Sequence, residues 1–310
     1  MNDKFCDLVC EGGGIKGIAL LGAIYYLNEQ GYEFKKIAGT SAGAIVASLL
    51  AVGYKGNELK DILFNIDFKK FMDKTPLGKI PIMGPLISIL KNKGLFNGDV
   101  IENFLEEKFK AKGKTKFKDI SINGTSPLKI ITSDITRKKL VVLPDDLKDY
   151  HIDDMEFNIA KAVRMSMSFP FAFTPVLIED NNNSSFFVDG GLTSNFPVWL
   201  FDVKDKPRWP TFGLRLISDS EQRTTQAKET KTISYIFNIM KIVLSCNEEA
   251  FLNNKDSVRT IDIPTFDINT LDFSLSQEKK KKLFNSGYNA AKEFLDKWNF
   301  NIYVENYRNN

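Results

Sequence analysis

Near the start of the chain the hydrophobic pattern changes period at regular points. Phe5–Glu11 is a short apolar run with the character of a strand, and the glycines of Gly12–Gly17 interrupt it. Ile18–Asn28 is then apolar over a helix-length stretch that closes near Gly31, where glycine favours a stop. Lys36–Gly39 predicts a second strand, and Ala44–Leu50 a second helix running to about Val52. Strand, helix, strand, helix within fifty residues predicts an α/β fold with a mainly parallel sheet. Further along, helices are expected over Gly56–Phe71, Asp99–Phe109, Asn158–Met167 and Thr230–Phe251. Strands are expected at Leu128–Thr132, Lys139–Leu143, Val176–Ile178, Phe186–Val188, Thr211–Ile217 and near Val258–Ile263. In the last helix Phe284, Tyr288, Ala291, Leu295 and Trp298 recur at helical spacing and share one face. Pro76–Leu95 mixes breakers with apolar residues and does not read as one regular helix. No repeat or linker divides the 310 residues, which predicts a single domain: a motif-bearing core over about 5–217 and an extension over 218–310 packed on it.

Composition narrows the chemistry more than the fold. Hydrophobic content of 43% and charged content of 26% are those of a globular chain. The net charge of +3 does not point to nucleic acid. No secretory signal and no membrane-spanning run is expected, and three cysteines without paired spacing suit a reducing, cytoplasmic setting. There is one histidine, His151, among Asp149, Asp153 and Asp154. Multi-histidine metal sites are therefore excluded, and no metal or cofactor is expected. His151 reads as a surface residue in a solvated loop.

Three short motifs carry the candidate chemistry. Gly39-Thr40-Ser41-Ala42-Gly43 is Gly-x-Ser-x-Gly at a strand-to-helix junction, where small residues let the chain turn sharply and expose the serine at a helix N-terminus. Gly12-Gly13-Gly14-Ile15-Lys16-Gly17 satisfies Gly-x-Gly-x-x-Gly between a strand and a helix. By itself this loop fits a dinucleotide site or an oxyanion hole equally. A dinucleotide fold wants an acid near the end of the second strand, where this chain has Gly39-Thr40-Ser41, so the elbow tips the reading towards a hydrolase. Asp189-Gly190-Gly191 is a turn that would leave a carboxylate at a strand end.

Taken in order, these motifs resemble the patatin-like phospholipase family. So do Ile131–Thr136, the block from Ala162 through Met165–Pro170 to Pro175, and Asp189–Pro197. The resemblance covers about residues 5–217. It implies a three-layer α/β/α fold and calcium-independent cleavage of lipid carboxylic esters by a Ser-Asp dyad. Ser41 matches the nucleophile, Asp189 the base, and Gly12, Gly13 and Gly14 the oxyanion loop. Lys16 stands where many members carry arginine, placing a point charge near the substrate. Membrane lipid or lysolipid is the expected substrate, with transient peripheral membrane contact and no nucleic-acid partner. The need for a protein or small-molecule activator stays open.

The competing readings are a nucleotide-binding oxidoreductase and a non-catalytic lipid-binding module on the same fold. Ser166 and Ser168 read as structural serines, Asp134 as a turn residue, and Lys279–Lys282 as a solvated helix face. Ile80–Leu90 reads first as ordinary packing under a loop, and second as a lid or membrane-touching segment.

Overall fold

The computed structural model describes residues 4–81, 83–180, 183–218, 235, 239–240, 242–243, 254–270 and 273–307. Its strands, in chain order, are β1 (Lys4–Cys10), β2 (Tyr32–Thr40), β3 (Gly94–Phe96), β4 (Leu128–Asp134), β5 (Lys139–Leu143), β6 (Phe171–Phe173), β7 (Val176–Asp180), β8 (Asn183–Asp189), β9 (Thr211–Ile217) and β10 (Thr260–Pro264). The helices are α1 (Ile18–Glu29), α2 (Ala42–Ala51), α3 (Gly56–Asn65), α4 (Gly84–Asn92), α5 (Asp99–Ala111), α6 (Phe117–Ile120), α7 (Ile159–Ser166), α8 (Asn254–Ser257), α9 (Gln277–Leu295) and α10 (Phe300–Tyr307).

The fold is mixed α/β around a central, mostly parallel sheet. β10, β9, β1, β2 and β4 lie side by side and parallel, whereas β5, β8 and β7 join antiparallel. β2 begins earlier than the apolar run suggested, because Tyr32 already pairs with Lys4. The helix expected over Gly56–Phe71 stops at Asn65: Ile66 is extended, and the Asp67 side chain accepts from Lys69 N to cap a separate 3-10 turn at Phe68–Phe71. Most of the helix expected over Thr230–Phe251 lies outside the described residues.

Alternation along β1 sends Cys6, Leu8 and Cys10 into the large core beneath the helices, and Val9 to the other face. On that second face Val9 and Ala38 are covered, among the described residues, by Phe196, Val198 and Phe201. Among the described residues the outer layers are thus unequal, one thick and helical and one thin.

The C-terminal third continues the same architecture. β10 pairs with β9, and α9 lies directly on α1. Two glycines set that approach: a Cβ on Gly22 would sit 1.8 Å from the Phe284 carbonyl oxygen, and one on Gly287 1.9 Å from that of Ala19. Backbones this close leave no room for larger residues. Trp298 lies past the end of α9, yet its ring stacks on Phe294 with centroids 5.2 Å apart. One lysine of the expected solvated run departs from it. Lys280 is buried, and its Nζ donates to the carbonyls of Phe64 (2.7 Å) and Ile66 (3.0 Å), satisfying the end of α3.

Candidate active site

Register alone brings the two glycine motifs together. β1 and β2 are parallel neighbours with Cys10 opposite Gly39, so the glycine loop and the elbow leave the sheet side by side. A Cβ built on Gly12 would lie 3.2 Å from Ser41 Cβ. Ser41 itself has φ 52° and ψ −121°, a strained conformation for a residue with a side chain. The close packing around it requires small neighbours: a Cβ on Gly39 would meet the Gly43 carbonyl oxygen at 2.3 Å, and one on Gly43 would meet the Cys10 carbonyl oxygen at 2.2 Å.

Asp189 arrives from the opposite direction. Ile130 and Ile131 of β4 pair with both β2 and β5, and Thr132–Asp134 pair with both β5 and β8. A strand has two edges, so β2 and β8 share one edge of β4 and meet end to end there. Thr40 faces Ile131 and Asp189 faces the next residue, Thr132. The two strands stop head-on, so Ser41, the residue after β2, and Asp189, the last residue of β8, are brought to one point. The Ser41 hydroxyl lies close enough to the Asp189 carboxylate to favour its charged form.

The carboxylate is buried, and loss of hydration raises its pKa to about 6, even though the hydrogen bond from Gly191 N and the nearby Ser41 hydroxyl pull the other way. Asp189 Oδ1 accepts from Gly191 N at 2.9 Å, and its carbonyl accepts from Ser133 Oγ at 2.9 Å. A carboxylate so placed is a far better base at neutral pH than one in water.

The C-terminal end of α7 and the turn that follows it support both members of the pair. Ser166 Oγ accepts the Ser41 amide at 2.9 Å and donates to the Ile131 carbonyl at 2.5 Å. Asp189 N donates to the Ser168 carbonyl at 3.0 Å. The sequence marked these serines as structural; in the fold they hold the backbone of the candidate site. Arg164, buried one turn earlier, donates to Ser168 Oγ at 2.5 Å and to the carbonyls of Asn97 and Thr174. Asn195 lies within the Asp189–Pro197 block of the resemblance, but sequence gives it no role because its partners are distant in the chain. Its Nδ2 donates to the Gly12 carbonyl at 3.1 Å, and its carbonyl accepts Gly12 N at 3.2 Å.

That contact changes the expectation for the glycine loop. The Gly12 amide is engaged by Asn195 and serves to fix the loop. Gly14, with φ 56°, approaches Thr270, whose carbonyl accepts Ile15 N at 3.1 Å. Among the described residues, the amides of Gly13 and Gly14 donate to no acceptor.

All six expected site residues (Gly12, Gly13, Gly14, Lys16, Ser41 and Asp189) border one cavity of about 290 Å³. Its apolar wall includes Phe68, Phe71, Ile101, Met167, Phe169, Phe173 and Phe273. Thr270 and Phe273 come from the C-terminal third, which carried no motif. Lys16 Nζ lies at the mouth, 2.6 Å from Ser218 Oγ. His151 caps a 3-10 turn over Asp145–Tyr150, is exposed, and does not line the cavity. Asp134, expected in a turn, is the last residue of β4, and its side chain holds the turn that follows: it accepts from Thr136 N, Arg137 N and the Tyr150 hydroxyl. Among the described residues no cluster of side chains could hold a metal ion.

Comparison with known proteins agrees with this geometry. Residues 8–202 match the sequence model of the Patatin-like phospholipase family. YqhO of Bacillus subtilis is 35% identical over 299 residues, covering 96% of this chain and 100% of that protein. The probable lipid hydrolase 463L of invertebrate iridescent virus 6 is 30% identical over 197 residues, covering 62% of this chain and 61% of that protein. VipD from Legionella pneumophila is 20% identical and superposes with a TM-score of 0.55, covering 96% of this chain and 67% of that one, a likeness of fold. With these matches the dinucleotide reading of the glycine loop falls away, and lipid acyl hydrolysis is the activity they support. The family match spans more than half of the chain and the YqhO match nearly all of it, so the chain belongs to the patatin-like phospholipase family.

Proposed function

We propose that this protein is a serine lipid acyl hydrolase of the phospholipase A or lysophospholipase type, acting through Ser41 and Asp189. One observation carries the reading: a desolvated carboxyl with pKa near 6 sits beside a strained serine, next to two amides that donate to no acceptor among the described residues. Asp189 accepts the Ser41 proton as Oγ attacks the ester carbonyl. The developing oxyanion takes hydrogen bonds from Gly13 N and Gly14 N, donors already in place before the charge forms. Asp189 then protonates the leaving alcohol, deprotonates a water, and the acyl-serine is hydrolysed. Gly12 holds the loop through Asn195 instead of joining the hole. Lys16 places positive charge at the mouth, where an anionic headgroup would sit. No step in this scheme calls on calcium or another metal.

The apolar wall of the cavity suits an acyl chain. We further read residues 1–310 as one domain, since the extension supplies Thr270 and Phe273 to the cavity. Among the described residues no helix is long and apolar enough to cross a membrane. Contact with membrane lipid is therefore peripheral in this scheme.

The test is to incubate mixed membrane lipid with wild type and Ser41→Ala, and to label both with a fluorophosphonate. Free fatty acid and covalent labelling are expected with wild type alone. Equal fatty-acid release by Ser41→Ala would overturn the assignment of the nucleophile, and none from wild type would overturn the activity.

A further inference from the structure

The segment from Lys74 to Gly98 is built inside out. Helix α4 turns Gly84, Ser88 and Ile89 inwards, and a hydroxyl network occupies the space beneath it. Ser88 Oγ donates to the Gly94 carbonyl at 2.6 Å and lies 2.5 Å from Thr75 Oγ1, which accepts Gly78 N at 3.0 Å. The outward face carries Met83 (56% exposed), Leu86 (40%) and Leu90 (73%), at spacings of three and four that align them on one side of the helix, with Ile80 (46%) just before it. A helix on a water-soluble surface normally buries such a stripe. Here Gly84, Ser88 and Ile89 are buried while three larger apolar side chains face out, an arrangement suited to an apolar medium.

Charge identifies that medium. Lys74, Lys79, Lys91 and Lys93 lie in this stretch, and no acidic residue occurs between Lys74 and Gly98. Among the described residues none of the four lysines makes an ion pair. The nearest carboxylate before them, Asp73, is spent on the amides of Gly98 and Asp99. Exposed apolar residues in a stretch whose lysines make no ion pair among the described residues, Lys93 instead lying over the Phe186 ring at 4.8 Å, fit the interfacial region of an anionic bilayer. The segment is also continuous with the wall of the cavity. Phe71 lines the cavity, Lys74 bridges to Phe96, and the Phe96 ring packs on Phe173, another lining residue, at 5.7 Å.

We propose that Ile80, Met83, Leu86 and Leu90 form a docking face that seats the protein on anionic lipid bilayers beside the cavity mouth. This deepens the lipid-hydrolase reading and rests on it for its purpose, but the binding itself needs no catalysis. The experiment therefore uses Ser41→Ala as the parent and measures co-sedimentation with vesicles of phosphatidylcholine alone or with phosphatidylserine. Binding is expected to the anionic vesicles and to weaken with salt. L86S/L90S should reduce it by about tenfold or more, and K79E/K91E should remove the preference for phosphatidylserine. Because these side chains are exposed, both variants should keep the parent's melting temperature. In the Ser41 background the same changes should lower hydrolysis of vesicle lipid and leave a short, dissolved ester unaffected. Anionic-vesicle binding that is absent in the parent, or unchanged in L86S/L90S, overturns the docking face. So does a dimer in solution that L86S/L90S dissociates, since the face would then belong to a second copy. Failure of wild type to cleave any ester would instead strike the hydrolase reading and leave the binding result standing.

Discussion

The elbow and the segment around α4 use the same kinds of residue to opposite ends. At the elbow, glycine, alanine and serine are packed until no added carbon fits, and the polar atoms face one another across strand ends. Around α4, small and polar residues again occupy the inside, but the large apolar side chains are turned away from the protein. The first region is fixed by backbone register and fails if anything is enlarged. The second is held to the fold by a hydroxyl network, by Ile89 and by the pairing of β3 with β6, and its outer surface is free to change. Positional accuracy and surface adhesion are thus assigned to separate parts of one molecule.

This contrast is open to attack, beginning where the effect should be greatest. Ser41→Ala and Asp189→Asn should each lower kcat by on the order of 10³-fold or more in a fatty-acid release assay while keeping the fold by circular dichroism. The pH dependence sharpens the point. Asp189 must be ionised to act as a base, so kcat/KM should fall about tenfold per unit below pH 6. Its folded pKa lies above the unfolded value, so its burial costs stability once pH rises through the range from about 4 to 6. Asp189→Asn should therefore be more stable than wild type by about 3 kcal/mol above pH 6, with the gain vanishing below pH 4, as read by urea denaturation at several pH values.

Gly43→Ala comes next. Its Cβ would press on the Cys10 and Glu11 carbonyls at 2.2 and 2.6 Å, and a loss of about 3 kcal/mol or more is expected in thermal unfolding. Ser166→Ala deletes an acceptor for the Ser41 amide and should cost about tenfold or more in kcat with little change in KM, since it touches the elbow and not the substrate. At the far end of the scale, Leu90→Ser should change stability by no more than about 0.5 kcal/mol, and His151→Ala should be nearly silent in both assays. A large stability loss at Leu90 would erase the distinction between the two regions.

How far each region could be read from sequence follows the same division. The glycine loop, Ser41 and Asp189 each sit in a run of a few residues whose spacing states the backbone requirement. What joins them is non-local, and no spacing reports it. The hold of Ser166 on Ser41, the engagement of Gly12 by Asn195 and the arrival of Thr270 beneath the loop all depend on strand register and chain return. The residues around α4 were noticed for their breakers, but those same breakers spoil the periodicity that would have told inside from outside. Lys280 misled for a related reason: in a run of four lysines, nothing local marks the one that meets two carbonyls of another helix.

The head-on meeting of β2 and β8 also bears on when reactivity arises. The strand that leads into Ser41 is made early in synthesis, whereas Asp189 belongs to a hairpin that emerges much later and must dock against β4 beyond the end of β2. On the proposed mechanism, a nascent chain that has folded its first parallel strands holds a serine without its base. Reactivity towards lipid would then appear only with the last long-range pairing along β4, and the onset of covalent labelling at Ser41 during refolding would time that pairing.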